Sequence, residues 1–206
     1  MTVVSSVEYA AEALLNVGAQ AFQLGWVPAT SGNFSCRLNS EQVAITVSGA
    51  HKGHLTPEEI TVVGMDGRSL DGKRPSAETL LHIEVYRRYS GINSVLHTHS
   101  LQSTVLSGLV ESSGELVIEG LEVLKAFYGV DTHETTLTIP VFANEQDMVA
   151  LSEKLRARLD TPEPCHGFLI AGHGLYAWGR TIAETMRHLE AFEFLFQYQL
   201  EMKRIA

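Results

Sequence analysis

The residues best suited to chemistry are histidines, nine of them in 206 residues. Two stand two apart in Val95-Leu96-His97-Thr98-His99. Residues i and i+2 of a strand share a face, so His97 and His99 can present two imidazoles to one divalent ion. The same spacing also arises at a polar strand end that binds nothing. His173 lies between Gly172 and Gly174, which let the backbone pass close to a neighbour and leave the ring free. It is either a plain turn histidine or a third ligand. A catalytic zinc commonly takes three protein ligands and keeps one position open. His51, His54, His82, His133, His166 and His188 lack such settings and read as surface or structural residues. His82 does lie one helical turn after Glu78, where it can support that carboxylate from the same face.

Two loops of small residues can serve an anion. Thr30-Ser31-Gly32-Asn33 and Ser48-Gly49-Ala50-His51-Lys52-Gly53 both sit at strand ends. Such loops can expose consecutive backbone N–H groups. Thr30, Asn33, Ser48 and Ser76 add side-chain donors, and Lys52 adds a positive charge. Ser76 is placed at a helix N-terminus, where the dipole favours an anion. Each feature alone reads as an ordinary turn or cap. Together they suggest a phosphate pocket.

These residues must be held by alternating helices and short strands. Apolar periodicity predicts a helix over 7–24, ended by Gly25. Strands follow over 34–38 and 42–47, and Thr56-Pro57-Glu58-Glu59 reads as a capped helical turn before a strand over 60–63. Ser76 is expected to cap a helix over 77–89. A strand over 94–99 and a helix over 101–109 come next. The segment 116–127 is ambiguous, with a short helix favoured from Gly120. A β-rich stretch covers 135–141, and Asn144 is expected to cap a helix over 145–159. A Pro-rich loop covers 161–164. Strands over 167–171 and 175–178 flank Gly172-His173-Gly174. Thr181 caps a final helix to about Lys203, with Glu184 completing a capping box. Short turns between most strands point to an α/β fold with a mixed, largely antiparallel sheet.

Composition narrows the partners. Fifteen Lys and Arg against 24 Asp and Glu leave a net charge of −9. That argues against nucleic acid, whose phosphates need clustered cations, and against an anionic membrane surface. The longest uncharged stretch, 13–36, carries Asn16, Gln20, Gln23 and Pro28 and is no membrane span. The N-terminus lacks the basic and apolar blocks of a leader. Cys36 and Cys165 form no CxxC pair and fit reduced thiols in a cytoplasmic protein. Residues 1–206 read as one domain. No GxGxxG or GxxxxGK[ST] occurs, so there is no dinucleotide or P-loop signal.

Taken in order, Thr30-Ser31-Gly32-Asn33-Phe34-Ser35, Ser48-Gly49 with Lys52-Gly53, Pro75-Ser76-Ala77-Glu78, His97-Thr98-His99 and Gly172-His173-Gly174 resemble the class II aldolase/adducin family along essentially the whole chain. The resemblance implies a single domain of α/β/α layers around the central sheet. It implies a zinc ion held by His97, His99 and His173. It implies phosphate contacts from Thr30, Gly32, Asn33, Ser48, Gly49, Lys52 and Ser76. It also implies a homotetramer with active sites near subunit boundaries. Leu55-Thr56-Pro57-Glu58, 119–127 and His173-Gly174-Leu175-Tyr176-Ala177-Trp178-Gly179 are most similar to the family's dehydratase members. These imply removal of water from a phosphorylated methylthio sugar in methionine salvage. A zinc-dependent sugar-phosphate aldolase or epimerase is the alternative, and a non-catalytic adducin-like binding domain comes after it. Two glutamates compete for proton transfer. Glu78 matches the aldolase residue and Glu122 the dehydratase residue, so Glu122 is expected as acid/base and Glu78 as an auxiliary group or metal neighbour. Ala77 stands where aldolase members often carry a second serine, which makes aldolase activity harder to support.

Overall fold

The computed structural model describes residues 6–161 and 165–205. The chain runs α1 (Val7–Gln23), β1 (Asn33–Arg37), β2 (Gln42–Thr46), β3 (Ile60–Gly64), α2 (Thr79–Arg88), β4 (Ser94–Thr98), α3 (Leu101–Leu109), β5 (Glu115–Glu119), β6 (Thr136–Phe142), α4 (Met148–Leu159), β7 (Gly167–Ile170), β8 (Gly174–Gly179) and α5 (Ile182–Ile205). The strands form one sheet of order β3-β2-β1-β4-β8-β7-β6-β5. Its neighbours are antiparallel except β6 and β7. The expected mixed, largely antiparallel α/β fold is therefore present.

Strand alternation builds three layers. In β8, Leu175 and Ala177 join one apolar cluster with Leu14 of α1, Leu106 of α3 and Phe192 of α5. Tyr176 and Trp178 join another with Leu81 of α2 and Leu155 of α4. Each face is thus roofed by helices, which is why the inner strands are buried along their whole length. β5 is one edge, opposite β3, and buries only Leu116 and Ile118 of its residues. In α1, Ala10, Leu14, Val17 and Ala21 follow helical spacing onto the sheet. Full burial of one such leucine contributes roughly 1.5–3 kcal/mol.

Several boundaries differ from the sequence reading. α2 starts at Thr79, with Glu78 at its N-cap position, so Ser76 lies in the turn before the helix and does not cap it. α4 starts at Met148, because Asp147 Oδ1 accepts the N–H groups of Val149 and Ala150. Asn144 is used elsewhere. The ambiguous segment divides into β5, whose Glu-Leu-Val-Ile-Glu alternation pairs with β6, and a 3-10 turn over Glu122–Ala126. Thr181 Oγ1 accepts the Glu184 N–H as expected. The reciprocal bond shifts by one residue, with the Arg180 N–H donating to Glu184 Oε2. Of the expected 161–164 loop, residues 162–164 lie outside the described residues. Among the described residues, no helix is long and apolar enough to cross a membrane.

Candidate active site

His97 is the next-to-last residue of β4 and is fully buried. Its Nδ1–H donates to the Leu175 carbonyl at 2.9 Å. That bond sets the tautomer and leaves a lone pair on Nε2. His99 lies one residue past the strand, where its N–H donates to the Trp26 carbonyl at 2.7 Å. His173 sits on the turn joining β7 to β8. Gly174 lets that turn press against the end of β4, since a Cβ there would lie 2.1 Å from the Thr98 carbonyl oxygen. His173 Nδ1 faces Asn144 Oδ1 at 3.2 Å, so its Nε2 also offers a lone pair.

The three Nε2 atoms converge. His97 and His99 are 2.8 Å apart, His99 and His173 3.1 Å, and His97 and His173 3.3 Å. Nitrogens bound tetrahedrally to one zinc would stand about 3.3 Å apart. Glu78 completes the cluster. Its Oε1 is 3.2 Å from His173 Nε2 and its Oε2 is 3.4 Å from His97 Nε2. Acceptor atoms crowded in this way repel one another unless a cation lies between them. The donor set therefore fits a divalent metal, held by His97, His99 and His173 with Glu78 alongside. Electrostatics agree. Burial, then the neighbouring histidines, push the His97 pKa well below its usual value. Burial, then His173, bring His99 down to about 4. Both rings stay neutral, the form that ligates metal.

A cavity of about 290 Å³ opens beside this cluster. Thr30, Gly32 and Asn33 line it from one loop, Ser48, Gly49 and Lys52 from the second, and Ser76 and Ala77 from the turn before α2. Gly32 has a φ of +76°, and a Cβ there would meet the His97 carbonyl oxygen at 2.7 Å. Only glycine lets the first loop lie so close to the metal strand. Lys52 is almost wholly buried and braces both loops, donating to the carbonyls of Thr30 at 3.0 Å and Ala50 at 2.6 Å. Its third hydrogen is left for a ligand. Burial lowers its pKa to about 8, against the pull of Glu59 and Glu78.

Some expected residues have different roles. The Asn33 amide is largely taken, with Nδ2 donating to Glu78 Oε2 at 2.6 Å and Oδ1 facing His82 Nε2 at 2.5 Å. One amide hydrogen is not used by these two contacts. Ser76 Oγ accepts the Glu78 N–H at 3.4 Å, and the helix dipole expected at Ser76 begins three residues later. Glu122 is not among the residues lining its own chain's cavity. It is exposed, receives a hydrogen bond from Lys125 Nζ at 2.5 Å and lies 3.4 Å from His133 Nδ1. Sequence reasoning missed Asn144, the orienter of His173. It also left out Ser31, whose buried hydroxyl has no hydrogen-bond partner among the described residues and which lines the cavity. Its place inside the Thr-Ser-Gly-Asn loop was the available signal.

The family model described as Class II Aldolase and Adducin N-terminal domain matches residues 12–200. A methylthioribulose-1-phosphate dehydratase from Methylococcus capsulatus is 51% identical over 195 residues, 95% of each chain. Among solved structures, YgbL from Klebsiella pneumoniae superposes with a TM-score of 0.82 at 23% identity, covering 96% of this chain and 91% of the other. The L-fuculose-1-phosphate aldolase of Thermus thermophilus gives 0.73 at 27% identity, covering 93% of each. The match spans most of the chain, and the chain belongs to the class II aldolase and adducin N-terminal domain family.

Proposed function

We propose that this chain is a zinc-dependent lyase. Its reaction is removal of water from 5-methylthioribulose 1-phosphate to give 5-methylthio-2,3-dioxopentyl 1-phosphate, a step of methionine salvage. One observation carries the reading: the Glu78, His97, His99 and His173 cluster opens into the same cavity as the three segments expected to hold an anion. A ligand with a phosphate at one end and a carbonyl near the other pole of that cavity matches this pairing. The relative named for this activity, at 51% identity, supports the choice of substrate.

When bound, the divalent metal supplies Lewis-acid polarisation of the substrate carbonyl and acidifies the neighbouring C–H. The rest is done by side chains. Thr30, Ser48, Gly49, Ser76 and the free Lys52 hydrogen grip the phosphate and orient the sugar, which lowers the barrier by several kcal/mol, up to about 7–11 in ideal cases. A carboxylate takes the C3 proton. Protonation of the C4 hydroxyl then lets it leave as water, and the resulting enol picks up a proton at C4 to become the diketone. Glu122 is our candidate for that carboxylate. Because it is absent from the lining of its own chain's cavity, it acts in a neighbouring copy's site. That requires an oligomer, and a homotetramer is our proposal. Glu78 stays beside the metal ligands as an auxiliary group.

One observation favours a second reading. Glu78 is the carboxylate that faces the histidines within one chain, which suits an aldolase or epimerase using Glu78 for proton transfer. Subunit mixing separates the two. Glu122→Gln and His97→Ala chains, each inactive alone, regain activity when reassembled together if Glu122 works across an interface. Full activity in Glu122→Gln together with loss in Glu78→Gln establishes the second reading instead. Metal content separates both from an adducin-like binding module, for which bound metal at one per chain is not expected.

A further inference from the structure

From Glu78 a line of hydrogen bonds runs into the core. Asn33 Nδ2 donates to Glu78 Oε2 at 2.6 Å. Asn33 Oδ1 is 2.5 Å from His82 Nε2. His82 Nδ1 is 2.7 Å from Ser35 Oγ, which is 2.8 Å from the Tyr86 hydroxyl. His82 and Ser35 are fully buried, and Asn33 and Tyr86 nearly so. Two periodicities produce the line. Asn33 and Ser35 are i and i+2 on β1, and Glu78, His82 and Tyr86 are spaced by four along one face of α2.

With Glu78 ionised, one set of directions satisfies every member of the line, the longer 3.4 Å contact of Ser35 Oγ with the Val95 carbonyl oxygen aside. An ionised carboxylate accepts and does not donate, so the Asn33 amide must turn its N–H to Glu78 and its oxygen to His82. His82 then carries its hydrogen on Nε2, and its Nδ1 accepts from Ser35. Ser35 in turn accepts from Tyr86. A flipped Asn33 would set its oxygen against the Glu78 carboxylate, and the Nε2–H of His82 is the donor that opposes this flip. The imidazole is itself seated by Tyr176, whose ring meets His82 edge-on at 5.6 Å and stacks on His97 at 3.9 Å. Burial keeps His82 neutral, with its pKa lowered to about 3.

We propose that His82 is a positioning residue: acting through Asn33, it fixes the Glu78 carboxylate beside His97 and His173. Its catalytic consequence rests on the lyase reading above, but its hydrogen-bond role does not. Two measurements therefore test it. In the full protein labelled with 15N-histidine, long-range proton–nitrogen spectra should show His82 with its hydrogen on Nε2; a hydrogen on Nδ1 overturns the assignment, whatever the activity. In steady-state kinetics on the metal-loaded protein, His82→Leu should lower kcat roughly 10–100-fold, as loss of such supporting partners does. Its KM should stay within about threefold and its metal content unchanged. His82→Gln, which keeps a donor near the Nε2 position, should restore kcat to within about threefold of the parent. Equal loss in both variants, or full kcat in His82→Leu, overturns the positioning role. Absence of turnover in the parent refutes the lyase reading, while the nitrogen spectra still decide the role of His82.

Discussion

The phosphate contact we propose for Lys52 carries a calculable sensitivity to alkaline pH. Its ammonium is buried and held by two carbonyls, with one hydrogen left for substrate. Burial lowers its pKa from the ordinary lysine value to about 8. The sign follows directly: the cation is present below about pH 8 and lost above it. The charged fraction is then about 0.9 at pH 7 and about 0.1 at pH 9. A phosphate ester with a second pKa near 6 stays dianionic across this range. If only the charged form grips substrate, kcat/KM falls about tenfold between pH 7 and pH 9. A bound divalent cation nearby shifts the midpoint further down, never up. The assay is the pH profile of kcat/KM, which reports groups of the free enzyme. Lys52→Met should lower kcat/KM at pH 7 by roughly 10–100-fold, the worth of one charge-assisted hydrogen bond. It should also remove the alkaline limb. A parent profile flat to pH 9, or the same limb in Lys52→Met, refutes the reasoning.

Two other outcomes follow from groups around the site. Glu193 of α5 is buried with no hydrogen-bond partner for either oxygen among the described residues, the nearby Ser100 hydroxyl being engaged with Ser103, and burial raises its pKa to about 7. The folded state thus holds this proton more tightly than the unfolded chain, and stability is lost as pH rises from about 4.5 through 7. Glu193→Met should therefore stabilise the protein by up to about 3 kcal/mol at pH 8 and by much less at pH 5 in chemical denaturation; a destabilised variant at pH 8 contradicts this. Asn144→Ala removes the partner of His173 Nδ1 and should weaken metal binding roughly 10–100-fold in a competition with a chelator, whereas unchanged affinity would leave Asn144 without that role.

The parts legible in the sequence were those set by short spacing. The i, i+2 spacing brings His97 and His99 together although His99 lies past the end of β4, with their Nε2 atoms 2.8 Å apart. Glycines on either side of His173 marked a close approach, and Gly174 indeed abuts Thr98. What stayed hidden depends on residues far apart in the chain. Asn144 and Asp147 are both good helix caps, and nothing local says that Asn144 is diverted to His173, 29 positions away. His82 was read as support for Glu78 from the same helix face. The support is real but passes through Asn33, 49 positions earlier. Glu122 shows the same limit from the other side, since its ion-pair partners among the described residues are Lys125 and His133.

We propose metal-dependent dehydration at the three-histidine cluster. Its most direct test is to supply zinc-loaded protein with 5-methylthioribulose 1-phosphate and follow the 2,3-diketone, alongside a His97→Ala variant. Steady formation of the diketone by the parent, and none above background by His97→Ala, is the predicted result. Diketone formed equally well by His97→Ala, or a parent that leaves this substrate untouched while cleaving other ketose 1-phosphates, would contradict the claim.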